Sequence, residues 1–149
     1  MSARALLLGL LLALACGRSE PPPAPPSAPP PAHARVTIGV HVIDAEVADT
    51  PERKERGLSG RAALADGHGM LFPYDTPGRY GFWMPNMRFD IDILWIRSGR
   101  IVHVEPSVSK DDAQRIYRPS ADADLVLELP AGTAARQGFR VGDAVDVAG

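Results

Sequence analysis

The sequence has little of several things that would identify a protein early. It holds one cysteine, Cys16, in 149 residues. No internal disulfide can form, so any folded domain must rest on its apolar core. It has no excess of one charge, with 16 Lys+Arg against 18 Asp+Glu and a net charge of -2. Basic and acidic residues are interspersed as on a solvated surface, which argues against a nucleic-acid partner. It lacks a phosphate-binding glycine loop, a GxSxG elbow and an HExxH pair, so the common signatures of nucleotide, serine-hydrolase and zinc-protease chemistry are missing. A chain of this length has room for one domain and not two.

What is present begins at the N-terminus. Arg4 precedes an uninterrupted apolar run from Ala5 to Leu14. That run is too short for a stable membrane span and fits the hydrophobic region of an export signal over residues 1–15. Ala13-Leu14-Ala15-Cys16 resembles a bacterial lipoprotein lipobox. The resemblance implies lipidation of Cys16 and a membrane partner reached through that anchor. Ala13 stands where the pattern prefers leucine. Gly17, in place of an aspartate, favours the outer membrane or its periplasmic face. Residues 16–34 then form a tether, because EPPPAPPSAPPPAHA can build neither helix nor ladder and populates extended polyproline II.

Residues 35–149 read as a compact single domain of class mainly β (α+β), with short strands and one or two short helices. Alternation over 35–42 predicts a half-buried strand with Val36, Ile38, Val40 and Val42 on one face. A second short strand follows at 46–48. Thr50 as cap, Pro51 in the first turn and Gly57 at the end predict a helix between them. Residues 69–72, 82–84, 91–96, 101–104, 125–129 and 141–147 read as strands. Ser98-Gly99 closes a hairpin. Residues 73–80 and 105–124 read as loop, and 131–137 as a helical turn or two ended by Gly138.

Several of these stretches fall in one order: Arg56-Gly57-Leu58, Gly69-Met70-Leu71-Phe72, Phe82-Trp83-Met84 with Asn86, Asp92-Ile93-Leu94, Val126-Leu127-Glu128 with Gly132, and Gly142-Asp143. In that order the chain resembles the bacterial and archaeal family called domain of unknown function 192, over roughly residues 36–148. The resemblance implies a small β-rich fold and frequent export, and it implies no catalytic residue. This chain departs from the family at Pro85 and Asp90, where lysine and proline are common.

The candidate functional residues are Arg56, Trp83, Asn86, Asp92 and Glu128. Asp90 and Asp92 lie two apart and share a strand face. Asp92 in an apolar strand needs donors, and the 85–90 loop is nearest in the chain. Glu128 stands between Leu127 and Leu129 and either faces water or needs a cation such as Arg56 or Arg61. Tyr74, Tyr80, Phe82 and Trp83 gather around a Pro/Gly loop, as a binding surface or as a mini-core. His68, Met70, Met84 and Met87 beside Trp83 could suit Cu(I), although methionines in strands are commonly core. The reading taken is a non-enzymatic, exported, membrane-tethered binding or accessory domain with no cofactor and no metal. Two alternatives stay open: a small hydrolase-like enzyme using Asp92 and Glu128, and a periplasmic Cu(I)-binding protein.

Overall fold

The computed structural model describes residues 30–149. Cys16, the export signal and most of the proline tract lie outside the described residues. The first strand, β1, is His33–Ile38, and β2 is His41–Val47. Alternation alone made 35–42 one strand, but Gly39 takes φ 61 and turns the chain into a hairpin. Val40 is thereby carried to the hairpin tip, where it is 89% exposed, and Val42 is exposed with it. Both were expected on the buried face, which Val36 and Ile38 do line.

Helix α1 spans Pro51–Arg56 and is built as its caps dictate. The Thr50 side chain accepts from the Arg53 N–H at 3.2 Å, and the Gly57 N–H closes on the Arg53 carbonyl at 2.8 Å. The chain then runs through β3 (His68–Gly78), β4 (Ile91–Arg97), β5 (Arg100–Val108), β6 (Ala123–Pro130), α2 (Thr133–Gln137) and β7 (Val145–Ala148). The stretch 73–80, read as loop for its two prolines, mostly belongs to β3. Its ladder with β6 loses register between Pro73 and Gly78, which accommodates residues that cannot donate. Residues 82–84 form one isolated bridge, Phe82 to Tyr117, and no full strand. Part of the stretch read as irregular, 105–108, extends β5.

The strands form one sheet in the order β5-β4-β6-β3-β2-β1-β7. Only β2 and β3 are parallel, and α1 lies in the crossover between them. The sheet curls until its two edges meet. The Val145 N–H reaches the Gly99 carbonyl at 2.8 Å and the Ile101 N–H reaches the Asp143 carbonyl at 3.0 Å. All seven strands give side chains to one buried cluster, including Ile38, Ala45, Leu71, Leu94, Ile101, Leu127 and Val145. A cluster fed by every strand must be the concave interior. The convex side is covered over β3, β6 and β4, where Leu58, Phe82, Met84 and Tyr117 pack on Phe72, Ile93, Trp95 and Val126. Trp95 is fully buried there and donates its indole N–H to the Tyr80 carbonyl at 2.9 Å. Burying side chains of this size contributes about 1.5–3 kcal/mol each.

Candidate functional site

Along β6 the side chains of 125, 127 and 129 enter the interior, so 126 and 128 face the convex side. Glu128 pairs with Met70 of β3 and Ile93 of β4. It therefore stands in the middle of the covered patch. Gly69 lets the strands approach, since a Cβ there would come within 2.9 Å of the Glu128 carbonyl oxygen. Two segments close over the carboxyl. One is the end of α1 with residues 57–60, and the other is the stretch around 82–87. They are tied by Ser59 Oγ donating to the Pro85 carbonyl at 2.8 Å and the Gly60 N–H donating to the Asn86 carbonyl at 3.0 Å. Between them a cleft of about 40 Å³ remains, with Lys54, Arg56, Ser59, Phe72, Phe82, Trp83, Met87 and Glu128 in its lining. A wider groove of about 800 Å³, shared at Arg56 and Gly57, runs past Arg61 and Met70 to Pro30 and Pro31.

Glu128 is only 5% exposed, and its Oε2 has no hydrogen-bond partner. Neither alternative drawn from the sequence holds: the carboxyl does not face water, and no cation bonds it. Arg61 is near enough to act by charge, yet its guanidinium is engaged by Glu46 at 2.6 Å. Burial pushes the Glu128 carboxyl up to about 8, with Arg61 opposing the shift. The neighbouring Tyr74 phenol is pushed up to about 12, first by burial and then by the charges of Tyr80 and Glu128. At the rim, the Lys54 ammonium lies 4.5 Å over the Tyr74 ring. Arg56 is exposed, and its carbonyl accepts from the Ser59 N–H at 3.0 Å. Trp83 is 57% exposed, whereas Phe82 beside it is buried edge-on to Phe72.

Asp92 lies on the other face of the sheet. It is fully buried, and its oxygens accept the N–H groups of Ser107 at 2.8 Å, Gly132 at 3.0 Å and Ala134 at 2.7 Å. The expected donors, the N–H groups of the 85–90 loop, are not the ones used. Asp92 instead caps α2, whose own Gly132 offers no side-chain cap, and holds Ser107 in its left-handed turn at φ 52. Asp90, on the same face, accepts from the Lys110 N–H at 2.8 Å. Asp92 and Glu128 thus point to opposite faces and do not form the acid–base pair that a hydrolase reading needs.

Arg56, Trp83 and Glu128 come together in one cleft. Asn86 does not line it, and with φ 54 it serves through its backbone carbonyl. Tyr74 and Tyr80 stack on each other at 3.5 Å between ring centroids, and both pack against the convex apolar cluster. Met70 and Met84 are buried in the convex apolar cluster while His68 is exposed, so the thioethers are core. Among the described residues no group of three or more His, Cys, Asp or Glu could hold a metal ion. Lys54 and Ser59 were missed. The basic end of α1 was legible from its caps, but which side of it met the 82–87 segment was not.

Residues 34–147 match the family called domain of unknown function 192, described as an uncharacterized ACR. No curated protein matches the chain. A crystal structure from Sinorhizobium meliloti 1021, described as a candidate transcription regulator, superposes with a TM-score of 0.76 at 30% identity, covering 81% of this chain and 98% of that one. A protein of unknown function from Novosphingobium aromaticivorans DSM 12444 gives a TM-score of 0.71 at 29% identity, covering 83% and 94%.

Proposed function

We propose that this chain, which belongs to the domain of unknown function 192 family, is an exported, membrane-tethered binding or accessory domain whose recognition site is the cleft over Glu128. One observation carries the reading: a buried carboxyl with an unpartnered Oε2 forms the floor of a cleft that opens to solvent. Leaving such a group without a donor costs about 1–3 kcal/mol or more, and a ligand that supplies the donor recovers it. The exposed Trp83 and Arg56 at the mouth offer an aromatic face and a fork of N–H donors. Tethering rests on the lipobox-like Ala13-Leu14-Ala15-Cys16 and the proline tract behind it.

Two experiments test this. A compound screen by thermal shift on the full chain should find ligands that raise its melting temperature and lose that effect in Glu128→Gln. A screen whose hits act equally on both proteins removes the cleft from the reading. For the tether, radioactive fatty acid should label the chain in a Gram-negative host and fail to label Cys16→Ser. Equal label in both ends the lipoprotein reading.

A further inference from the structure

The cleft combines groups that no single-charged ligand satisfies. Its floor is the Glu128 carboxyl, buried and short of a donor. Its walls are Phe72, Phe82 and Trp83, and its rim carries Lys54 and Arg56. A cation alone would suit the floor and the aromatic faces but would meet two positive charges on entry. An anion alone would suit the rim but bring no donor to the floor. A neutral ligand would leave Arg56 unused. The volume of about 40 Å³ is far below the ~300–1,000 Å³ of a pocket that engulfs a whole drug-sized ligand, so one small group enters while the rest stays outside.

Resting on the binding reading above, we infer that the ligand is zwitterionic and of the phosphoethanolamine type: its primary ammonium enters to donate to Glu128 Oε2, and its phosphate stays at the mouth on Arg56 and Lys54. Phosphate is preferred to an α-carboxylate for two reasons. Two rim cations, Lys54 and Arg56, match the charge of a phosphate monoester better than the single charge of a carboxylate. The floor is buried while Arg56 is in solvent, so the two ligand charges must be separated by more than the single carbon of an α-amino acid. The same headgroup occurs free and on a phospholipid.

The test titrates the full chain and follows indole N–H resonances by NMR, where the buried, bonded Trp95 serves as the internal control for Trp83. Phosphoethanolamine should move the Trp83 resonance and bind about tenfold or more tighter than ethanolamine or inorganic phosphate, since losing either charged contact costs about that factor. Glu128→Gln should weaken it about tenfold or more. Arg56→Gln should weaken it about threefold to tenfold with the melting temperature unchanged. Equal binding of ethanolamine or phosphate alone, tighter binding of glycine, or no effect of either substitution overturns the inference. If another compound moves Trp83 and fails with Glu128→Gln while phosphoethanolamine does nothing, the zwitterion falls and the binding reading stands. If no compound does, both fall. Binding to phosphatidylethanolamine but not phosphatidylglycerol vesicles, displaced by soluble phosphoethanolamine, assigns the lipid; binding of the soluble compound without the vesicles assigns the free headgroup.

Discussion

Asp92 and Glu128 are both buried carboxyls, one on each of two adjacent strands, and the sheet treats them in opposite ways. Asp92 enters the concave interior and meets three backbone N–H groups from β5 and the start of α2. Glu128 faces the convex side and finds no donor for Oε2. The difference lies in what each face can bring near. The interior end of β4 is closed by loops with free N–H groups, which a carboxyl can cap. The convex face is closed by Leu58, Phe82 and Met84, which have nothing to donate. A satisfied buried carboxyl stabilises a fold, whereas an unsatisfied one weakens it. An unsatisfied carboxyl at the floor of a cleft is the feature on which the proposed recognition site rests.

The largest effect should come from the satisfied carboxyl. Asp92→Ala should cost about 3–5 kcal/mol, because three N–H groups lose one acceptor inside the fold. Urea midpoints measure it, and a loss below about 1 kcal/mol would show that water or another carbonyl takes those donors.

Glu128→Gln should act the other way. The folded carboxyl titrates near 8 and the unfolded one at the ordinary 4.5. Between those values the unfolded state releases its proton while the folded state keeps it, so stability falls as pH rises through that window and levels off above it. The groups facing Glu128 are Arg61, Tyr74, Lys54, Arg56 and Glu55. The variant should be flat there and gain about 2–4 kcal/mol at pH 8.5. Parallel pH curves for the two proteins would mean that the carboxyl is solvated in solution.

Smaller effects belong to the covering segment. Asn86→Ala should cost about 1 kcal/mol, since the left-handed φ of 54 is tolerated better by asparagine than by alanine, and Asn86→Gly should recover it. Loss of ligand binding in Asn86→Gly with stability intact would bring the Asn86 amide into the site. Trp83→Ala should change stability by no more than about 0.5 kcal/mol because the ring is mostly exposed, yet it should weaken any ligand of the cleft. A destabilisation of several kcal/mol would make Trp83 a core residue and narrow the site to Glu128 and the rim.

Much of the fold was legible because it is local. Thr50, Pro51 and Gly57 bracket the six residues of α1, and Ser98-Gly99 closes the β4–β5 hairpin between neighbours. The failures came where one residue overrode a pattern or a distant partner rescued one. Gly39 broke an eight-residue alternation, and β6 sustained a strand through Pro73 despite its missing donor. Of the candidate site, Arg56, Trp83 and Glu128 stand out in the sequence one by one, but their convergence on one cleft was not visible there. Ser59 and Pro85, which close the cleft, lie 26 residues apart.

By itself, then, the sequence determined a β-rich domain with two short helices, the boundaries of its capped and turned segments, and the family to which it belongs. Caps and turns depend on neighbours a few residues away, and family motifs on their order. Only the tertiary structure decided which buried carboxyl is satisfied. Alternation puts Glu128 and Asp92 on opposite faces, but it does not say what covers each face. That depends on α1 and the 82–87 segment meeting over β6, on Gly132 and Ala134 arriving at Asp92, and on the curl that brings β7 back to β5.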